Sequence, residues 1–317
     1  MNSPFISICI PAYKRPGLLK KLLDSVGEQT YKNFEIIIND NSPDDSVEKL
    51  VAGYATVLPI DYVKNEPAVN AAGNCIQVMR RARAPWIKLM HDDDWFASPD
   101  ALEKFVTAAV NSGCSFIFSA CNKVDLETGR AEASYLSAAH RQMLDQSVLS
   151  LFYLNVIGHP SVAMHKKDTA VEYDAGFSWV LDIDFYMRYL QQHNSFYYIN
   201  ERLVNIGKSA GQESFKYYKN AVVEIPEYFR LLTKFDPALP LQNQFVFHLV
   251  WNMLQRYKIK DTAQIRALGF DGPLPVVTDI IIRYQKRIPR IILKQPRSSA
   301  KLMLRCYNKV RAQGLYK

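Results

Sequence analysis

The chain reads as an α/β protein built on a mainly parallel, doubly wound sheet, followed by a helical C-terminal extension. Three observations lead there. Short β-branched runs alternate with amphipathic stretches from residue 5 to residue 119. The charge-bearing clusters fall directly after strand-like runs, where open α/β sheets bind their ligands. From about Ser209 onward the pattern turns helical and basic.

The elements follow in order. Phe5–Ile10 is a β-rich run ended by Pro11, and Leu18, Leu19, Leu22, Leu23 and Val26 form a helical stripe. Phe34–Ile38 is a second apolar strand, closed by Asn39-Asp40-Asn41-Ser42-Pro43. A helix is expected from Ser46, as its cap, to Tyr54. Ile60–Val63 is a third strand, Ala71–Arg83 a helix, and Trp86–Met90 a fourth strand running into His91-Asp92-Asp93-Asp94. Asp100–Ser112 is helical and Ser115–Ser119 is another strand. Beyond Ser209, helices are expected over Tyr217–Lys234 and Leu241–Arg256.

At 317 residues the chain can bury one main domain plus an appendage. With 48% hydrophobic and 22% charged residues it belongs among ordered soluble proteins. No apolar run approaches the roughly 18 residues needed to span a bilayer, and Phe5–Pro11 is too short for a signal sequence. The expected location is therefore cytoplasmic. The five cysteines lack the close spacing of zinc or redox motifs and read as reduced and structural. The net charge of +8 is lopsided: residues 256–317 carry +12 and the remainder −4. No nucleic-acid signature accompanies that basic tail, so nucleic acid is not an expected partner. Ile281, Ile282, Ile288, Ile291, Ile292 and Leu293, interleaved with Arg283, Lys286, Arg287, Arg290 and Lys294, suit an anionic membrane surface or a helix face packed on the body.

If the sheet is parallel, three clusters share one rim: Pro11-Ala12-Tyr13-Lys14-Arg15, Asn39-Asp40-Asn41-Ser42 and Asp92-Asp93-Asp94. Three consecutive carboxylates repel one another, and burial makes that worse. A solvated turn would hold them cheaply, but Trp95 and Phe96 pull the loop onto apolar surface. Mn²⁺ or Mg²⁺ would relieve the repulsion while binding the phosphates of a substrate.

The segment ISICIPAYKRPGLLKKLLDSVGEQTYKNFEIIINDNS resembles the opening of the inverting glycosyltransferases of family 2, which have the GT-A fold. Ser25, Gln29 and Thr30 fill the Ser-x-x-x-Gln-Thr helix ending, WIKLMHDDDWFASPDAL resembles the metal motif, and LDIDFYMRY the catalytic segment. The resemblance runs from about residue 4 to 208.

It implies a role for each matching position. Tyr13 stacks on a nucleobase walled by Pro11 and Ala12, and Asp40 accepts from the N3–H of uracil or thymine, hence a UDP-sugar or dTDP-sugar donor. Arg15 faces phosphate or caps a loop; Asn74 touches ligand or is a helix-surface amide. Asp92 and Asp93 hold ribose, Asp92 and Asp94 the metal, with Asp94 first among the ligands. Asp182 is the implied base, with Asp184 its rival on the opposite side of the helix. His159, in a constrained Gly-His-Pro turn, is an acceptor-side or metal residue, or structural; Trp179 stacks on a sugar or fills core. Departures from the pattern are Asn39 for a first Asp, Leu181 for a Glu before the base, and Pro85 for a Gly.

Residues 1–208 thus form a catalytic domain, with 1–119 its nucleotide half and 120–208 its acceptor half, and 209–317 a helical basic region. The expected activity is metal-dependent inverting transfer to a saccharide or lipid-linked glycan hydroxyl, in bacterial surface polysaccharide synthesis, at or near the inner face of the cell membrane. A non-catalytic nucleotide-sugar or glycan-binding module is the alternative. A nucleotidyltransferase would need a Gly-rich phosphate loop after the first strand, where this chain has Pro-Ala-Tyr-Lys-Arg.

Overall fold

The computed structural model describes residues 3–209 and 214–313. Two compact units emerge, one comprising Met1–Arg141 with Val156–Gln212, the other Gln142–Asn155 with Glu213–Lys317. The sequence placed its division at residues 208 and 209; in the structure the second unit also takes a short internal stretch.

The first unit is organised by one sheet. Its elements are β1 (Ile6–Ala12), α1 (Pro16–Gly27), β2 (Phe34–Asp40), α2 (Ser46–Ala52), β3 (Ile60–Lys64), α3 (Ala71–Arg80), β4 (Trp86–Leu89), β5 (Asp94–Phe96), α4 (Ala101–Asn111), β6 (Phe116–Asp125) and β7 (Ala131–Ser134). After α5 (Ala138–Gln146), whose last residues belong to the second unit, come β8 (Ala163–Lys166), α6 (Leu181–His193) and β9 (Tyr197–Lys208). The strand order is β3-β2-β1-β4-β8-β6-β9-β5, with β7 beside β6. The long ladders β1–β2, β2–β3 and β6–β9 are parallel, as is β1–β4, whereas the ladders of β5, β7 and β8 are short and antiparallel.

β1 and β2 are buried almost throughout, which is why they read as largely apolar runs. Their register sets Ala12 opposite Asp40, while Cys9 faces Leu89 on β4, so the polar clusters emerge at one rim. Pro11 does not end β1, contrary to expectation. The β4 ladder stops at Cys9, so the N–H that Pro11 lacks would have had no strand to meet. α2 begins at Ser46 but is not capped by it; the Asp44 carboxylate accepts from the Ser46 N–H at 2.9 Å. α3 is capped by Asn70 and ends at Arg80, because Arg81 and Arg83 turn away to bond Asn39 and Glu35.

The Ser-x-x-x-Gln-Thr ending of α1 is a clamp. Gln29 donates to the carbonyls of Ser25 and Ser98 and accepts from the Leu102 N–H, Ser25 accepts from the Phe96 N–H, and the Thr30 N–H donates to Pro99. Residues 96–102, just beyond the aspartate triplet, are thereby fixed to α1.

The second unit is helical: α7 (Ser214–Tyr217), α8 (Ala221–Leu232), α9 (Leu239–Gln242), α10 (Gln244–Arg256), α11 (Thr262–Ala267), α12 (Val277–Lys286), α13 (Arg290–Leu293) and α14 (Pro296–Ala312). Trp251 of α10 is fully buried; its indole N–H donates to Ser299 of α14 at 3.0 Å and its carbonyl accepts from Gln285 of α12 at 3.0 Å. Buried Glu224 is satisfied by Arg256 at 3.1 Å and the Tyr257 hydroxyl at 2.6 Å. Ile281, Ile282 and Leu293 belong to this core, so only part of the expected apolar face of the tail, Ile291 and Ile292, remains exposed.

Gln29→Ala leaves the Leu102 N–H and two carbonyls without their partner. It is expected to cost about 1–3 kcal/mol of stability in urea denaturation, with the loss appearing as a lower midpoint at unchanged slope.

Candidate active site

The turns after β1, β2 and β4 are bonded to one another. Lys14, at a left-handed φ of 55°, donates its N–H to the Ser42 hydroxyl at 2.8 Å, joining the first turn to the second. The Tyr13 N–H donates to Asp92 Oδ2 at 3.0 Å, and Arg15 donates to Asp93 Oδ2 at 2.7 Å and to Asp92 Oδ1, joining the first turn to the third. The Tyr13 ring is 48% exposed at this rim, beside half-buried Pro11 and buried Ala12.

Beneath the rim lies a layer of amides. Asn39 donates to Asn65, and Asn65 donates to Asn41 and Asn74. Asn74 donates to the carbonyls of Ala12 at 3.4 Å and Asn39 at 3.2 Å. Asn74 is not a helix-surface amide: it is buried and ties the ends of β1 and β2. Asp40 is also fully buried, accepting from the Ser42 N–H at 2.7 Å and the Tyr62 hydroxyl at 2.9 Å. It stands at the expected rim but is not an open acceptor; a base would have to compete with Tyr62. The sequence reading passed over Tyr62 and Asn65, since β3 carried no motif.

Asp92, Asp93 and Asp94 are each at most 5% exposed, which rules out a solvated turn. Burial pushes the Asp92 carboxyl up to about 7, against the pull of Arg15. Asp94 turns elsewhere. It opens β5, accepts from the Gly207 N–H at 3.0 Å, and faces the His159 Nδ1 at 3.2 Å. Burial would raise Asp94, but His159 carries it below the usual carboxylate range. Burial likewise works to lower the His159 imidazole, yet Asp94 prevails and lifts it to about 9. The His91 ring lies 4.8 Å from that of His159, and burial drops it to about 4.

The expected metal pair Asp92 and Asp94 is split. Asp92 pairs with Arg15 and the Tyr13 N–H, whereas Asp94 groups with His91 and His159, whose ligand atoms all lie within 4.8 Å. Asp94 Oδ2 and His159 Nδ1 are buried and make no hydrogen bond. The residues fit a divalent cation, at the histidine side of the triplet.

Asp182 sits half-buried in the first turn of α6, within electrostatic reach of His159. Burial lifts its carboxyl to about 6, with His159 pulling back. Asp184 is fully buried in an ion pair with Arg188, which also donates to the Glu172 carbonyl. The two carboxylates therefore stand in different surroundings. Trp179 is half-buried in the approach to α6.

Two residues the sequence did not flag shape the site. Lys88, fully buried on β4, donates to the carbonyls of Ser161 and Ala163 and holds the His159 turn against the strand. Burial lowers its ammonium to about 7. Gly207 on β9 runs so close to the triplet that an added Cβ would stand 2.3 Å from the Asp93 carbonyl oxygen. A Lys inside an apolar strand run was the one available signal for the first; nothing local marks the second.

The glycosyl transferase family 2 profile matches residues 7–173. The chain is 28% identical over 204 residues to an uncharacterized glycosyltransferase of Haemophilus influenzae, covering 62% of this chain and 66% of that protein, just under two thirds of its length. Among solved structures, S. aureus TarS 1-349 in complex with UDP-GlcNAc superposes with a TM-score of 0.55 at 12% identity, over 89% of this chain and 91% of that one. Mannosyltransferase PcManGT from Pyrobaculum calidifontis, in complex with GDP-Man and Mn²⁺, gives 0.56 at 14% identity, over 100% and 88%.

Gly207→Ala should cost about 1–3 kcal/mol, because backbone must move to admit the methyl; an unchanged midpoint in denaturation would refute the close approach. The Arg15 pairs give a pH signature. Asp92 has a folded pKa near 7, above its unfolded value of 3.8, so its neutral form favours folding and that favour is lost as pH rises through about 7. Arg15 offsets the loss only once Asp92 is ionised. The destabilisation caused by Arg15→Ala should therefore grow across that window to about 1–2 kcal/mol, less than for a fully buried pair because the guanidinium side chain is 38% exposed.

Proposed function

This chain belongs to glycosyl transferase family 2 and has the GT-A fold, and from that premise we propose that it is a metal-dependent inverting glycosyltransferase. The donor is a UDP-sugar or dTDP-sugar, of hexosyl or N-acetylhexosaminyl class, and the acceptor a hydroxyl of a saccharide or lipid-linked saccharide. The observation that carries this reading is the bonding of three strand-end turns into one rim, with His159 facing Asp94 of its triplet and Asp182 within electrostatic reach of His159.

In this reading the Tyr13 ring stacks on the base, and Asp40 takes the imide N–H in exchange for its Tyr62 partner. Arg15 and the backbone around Asp92 and Asp93 hold ribose and diphosphate. When bound, the Mn²⁺ or Mg²⁺ ion neutralises the diphosphate that leaves. Asp182 accepts the acceptor's hydroxyl proton as that oxygen forms its bond to the anomeric carbon. The bond from that carbon to the diphosphate oxygen breaks on the opposite face, its electron pair leaving with the diphosphate. Configuration inverts as a result. A carboxyl titrating near 6 is ionised at neutral pH yet basic enough to take a proton. Trp179 lies on the acceptor side.

Among the described residues, no helix is long and apolar enough to cross a membrane. Bacterial surface polysaccharide assembly at the inner face of the cell membrane remains the proposed setting. Exposed Ile291 and Ile292, flanked by Arg287, Arg290 and Lys294, support surface docking there.

Asp182→Asn should retain UDP binding and lose about 10²- to 10⁴-fold in turnover; unchanged turnover would remove Asp182 from its role, and lost binding with it would point to structure instead. Protonation of Asp182 should also give kcat/KM an acid limb near pH 6. Replacing Ile291 and Ile292 together by Glu should weaken co-sedimentation with phosphatidylglycerol vesicles by roughly tenfold or more. Point substitutions are preferable to truncation, which would remove core residues Ile281 and Tyr307.

A further inference from the structure

We propose that the cation of this site is held by Asp94 together with the imidazoles of His91 and His159, rather than by paired aspartates, and that the site consequently selects Mn²⁺ over Mg²⁺. The inference rests on the metal dependence proposed above and specifies its ligands.

Three features point to this ligand set. First, one ligand atom from each of the three side chains lies within 4.8 Å of the others. Atoms bound to a single ion at about 2.1 Å stand about 3–4 Å apart, so small side-chain adjustments suffice. Second, Asp94 Oδ2 and His159 Nδ1 face each other at 3.2 Å, both buried, with no hydrogen bond made by either. The pair is compensated by opposite charge alone, without hydrogen-bond geometry, and an ion bound between the two would be ligated by both atoms. Third, the competing carboxylates already face a positive charge: Arg15 pairs with Asp92 and Asp93, and Tyr13 adds a backbone donor to Asp92.

The scaffold keeps the two histidines in place. The His91 N–H donates to the Ser161 hydroxyl at 3.0 Å, two residues beyond His159. Buried Lys88, on the strand that leads into His91, donates to the Ser161 and Ala163 carbonyls. Gly158, at a φ of 97°, lets the chain turn into His159-Pro160. Two ring nitrogens and one carboxylate make a borderline donor set. Mg²⁺ takes oxygen ligands and dehydrates reluctantly, so two imidazoles disfavour it relative to a first-row transition ion such as Mn²⁺.

The test is electron paramagnetic resonance of Mn²⁺ added to the chelator-treated full chain, first without nucleotide and then with UDP. Pulsed spectra of the wild type should show ¹⁴N modulation from directly bound imidazole, a readout that needs no variant. His159→Ala and His91→Ala should each weaken Mn²⁺ binding at least about tenfold, and Mg²⁺ should displace Mn²⁺ only at large excess. Bound Mn²⁺ without nitrogen modulation, with both variants unchanged in affinity, would overturn the ligand set while leaving metal dependence intact. No Mn²⁺ binding with or without UDP would overturn both and leave Asp94–His159 as a plain ion pair.

Discussion

Everything at the rim depends on how three consecutive buried carboxylates are compensated. Asp92, Asp93 and Asp94 follow the end of β4 with almost no exposure, so each requires positive charge or donors from another part of the chain. Arg15 and the Tyr13 N–H come from the turn after β1. The Gly207 N–H comes from β9, and His159 from the turn before β8. Satisfying the triplet therefore draws together four segments distant in sequence. The same bonds that stabilise the fold assemble the site.

This compensation divides the triplet into two electrostatic environments. Asp92 and Asp93 share a guanidinium that is partly open to solvent, whereas Asp94 lies deeper against two imidazoles. A like division separates Asp182 from Asp184 on α6. One carboxylate is locked by Arg188 and the Glu172 carbonyl is bound with it; the other is left half-buried toward His159. Neighbouring acids of identical chemistry thus acquire different environments from the partners the fold supplies.

The first half of the sheet was legible because β1, β2 and β4 are buried on both faces and so appear as largely apolar runs. Their ends could be read as a shared rim from the parallel topology alone. The antiparallel half was not legible. β5 and β8 have three and four residues, and β9 carries Glu201, Arg202 and Asn205 within its length, so none shows a clean period. The partners of the motif residues were equally hidden: Tyr62, Asn65, Lys88 and Gly207 act through contacts across the sheet that no local pattern encodes. In the tail, alternating Ile and Arg or Lys gave the helices but not their faces. Ile281 and Ile282 are core beside Trp251 of the same unit, and only Ile291 and Ile292 are left outward.

The central claim is that the turns after β1, β2 and β4 act as one nucleotide-diphosphate site. Amide hydrogen exchange of the full chain, with and without UDP and Mn²⁺, addresses it most directly. Ligand should slow exchange together in residues 12–15, 40–43 and 91–95, at one common ligand concentration. Protection confined to a single one of these turns, or appearing elsewhere in the chain, would contradict the account.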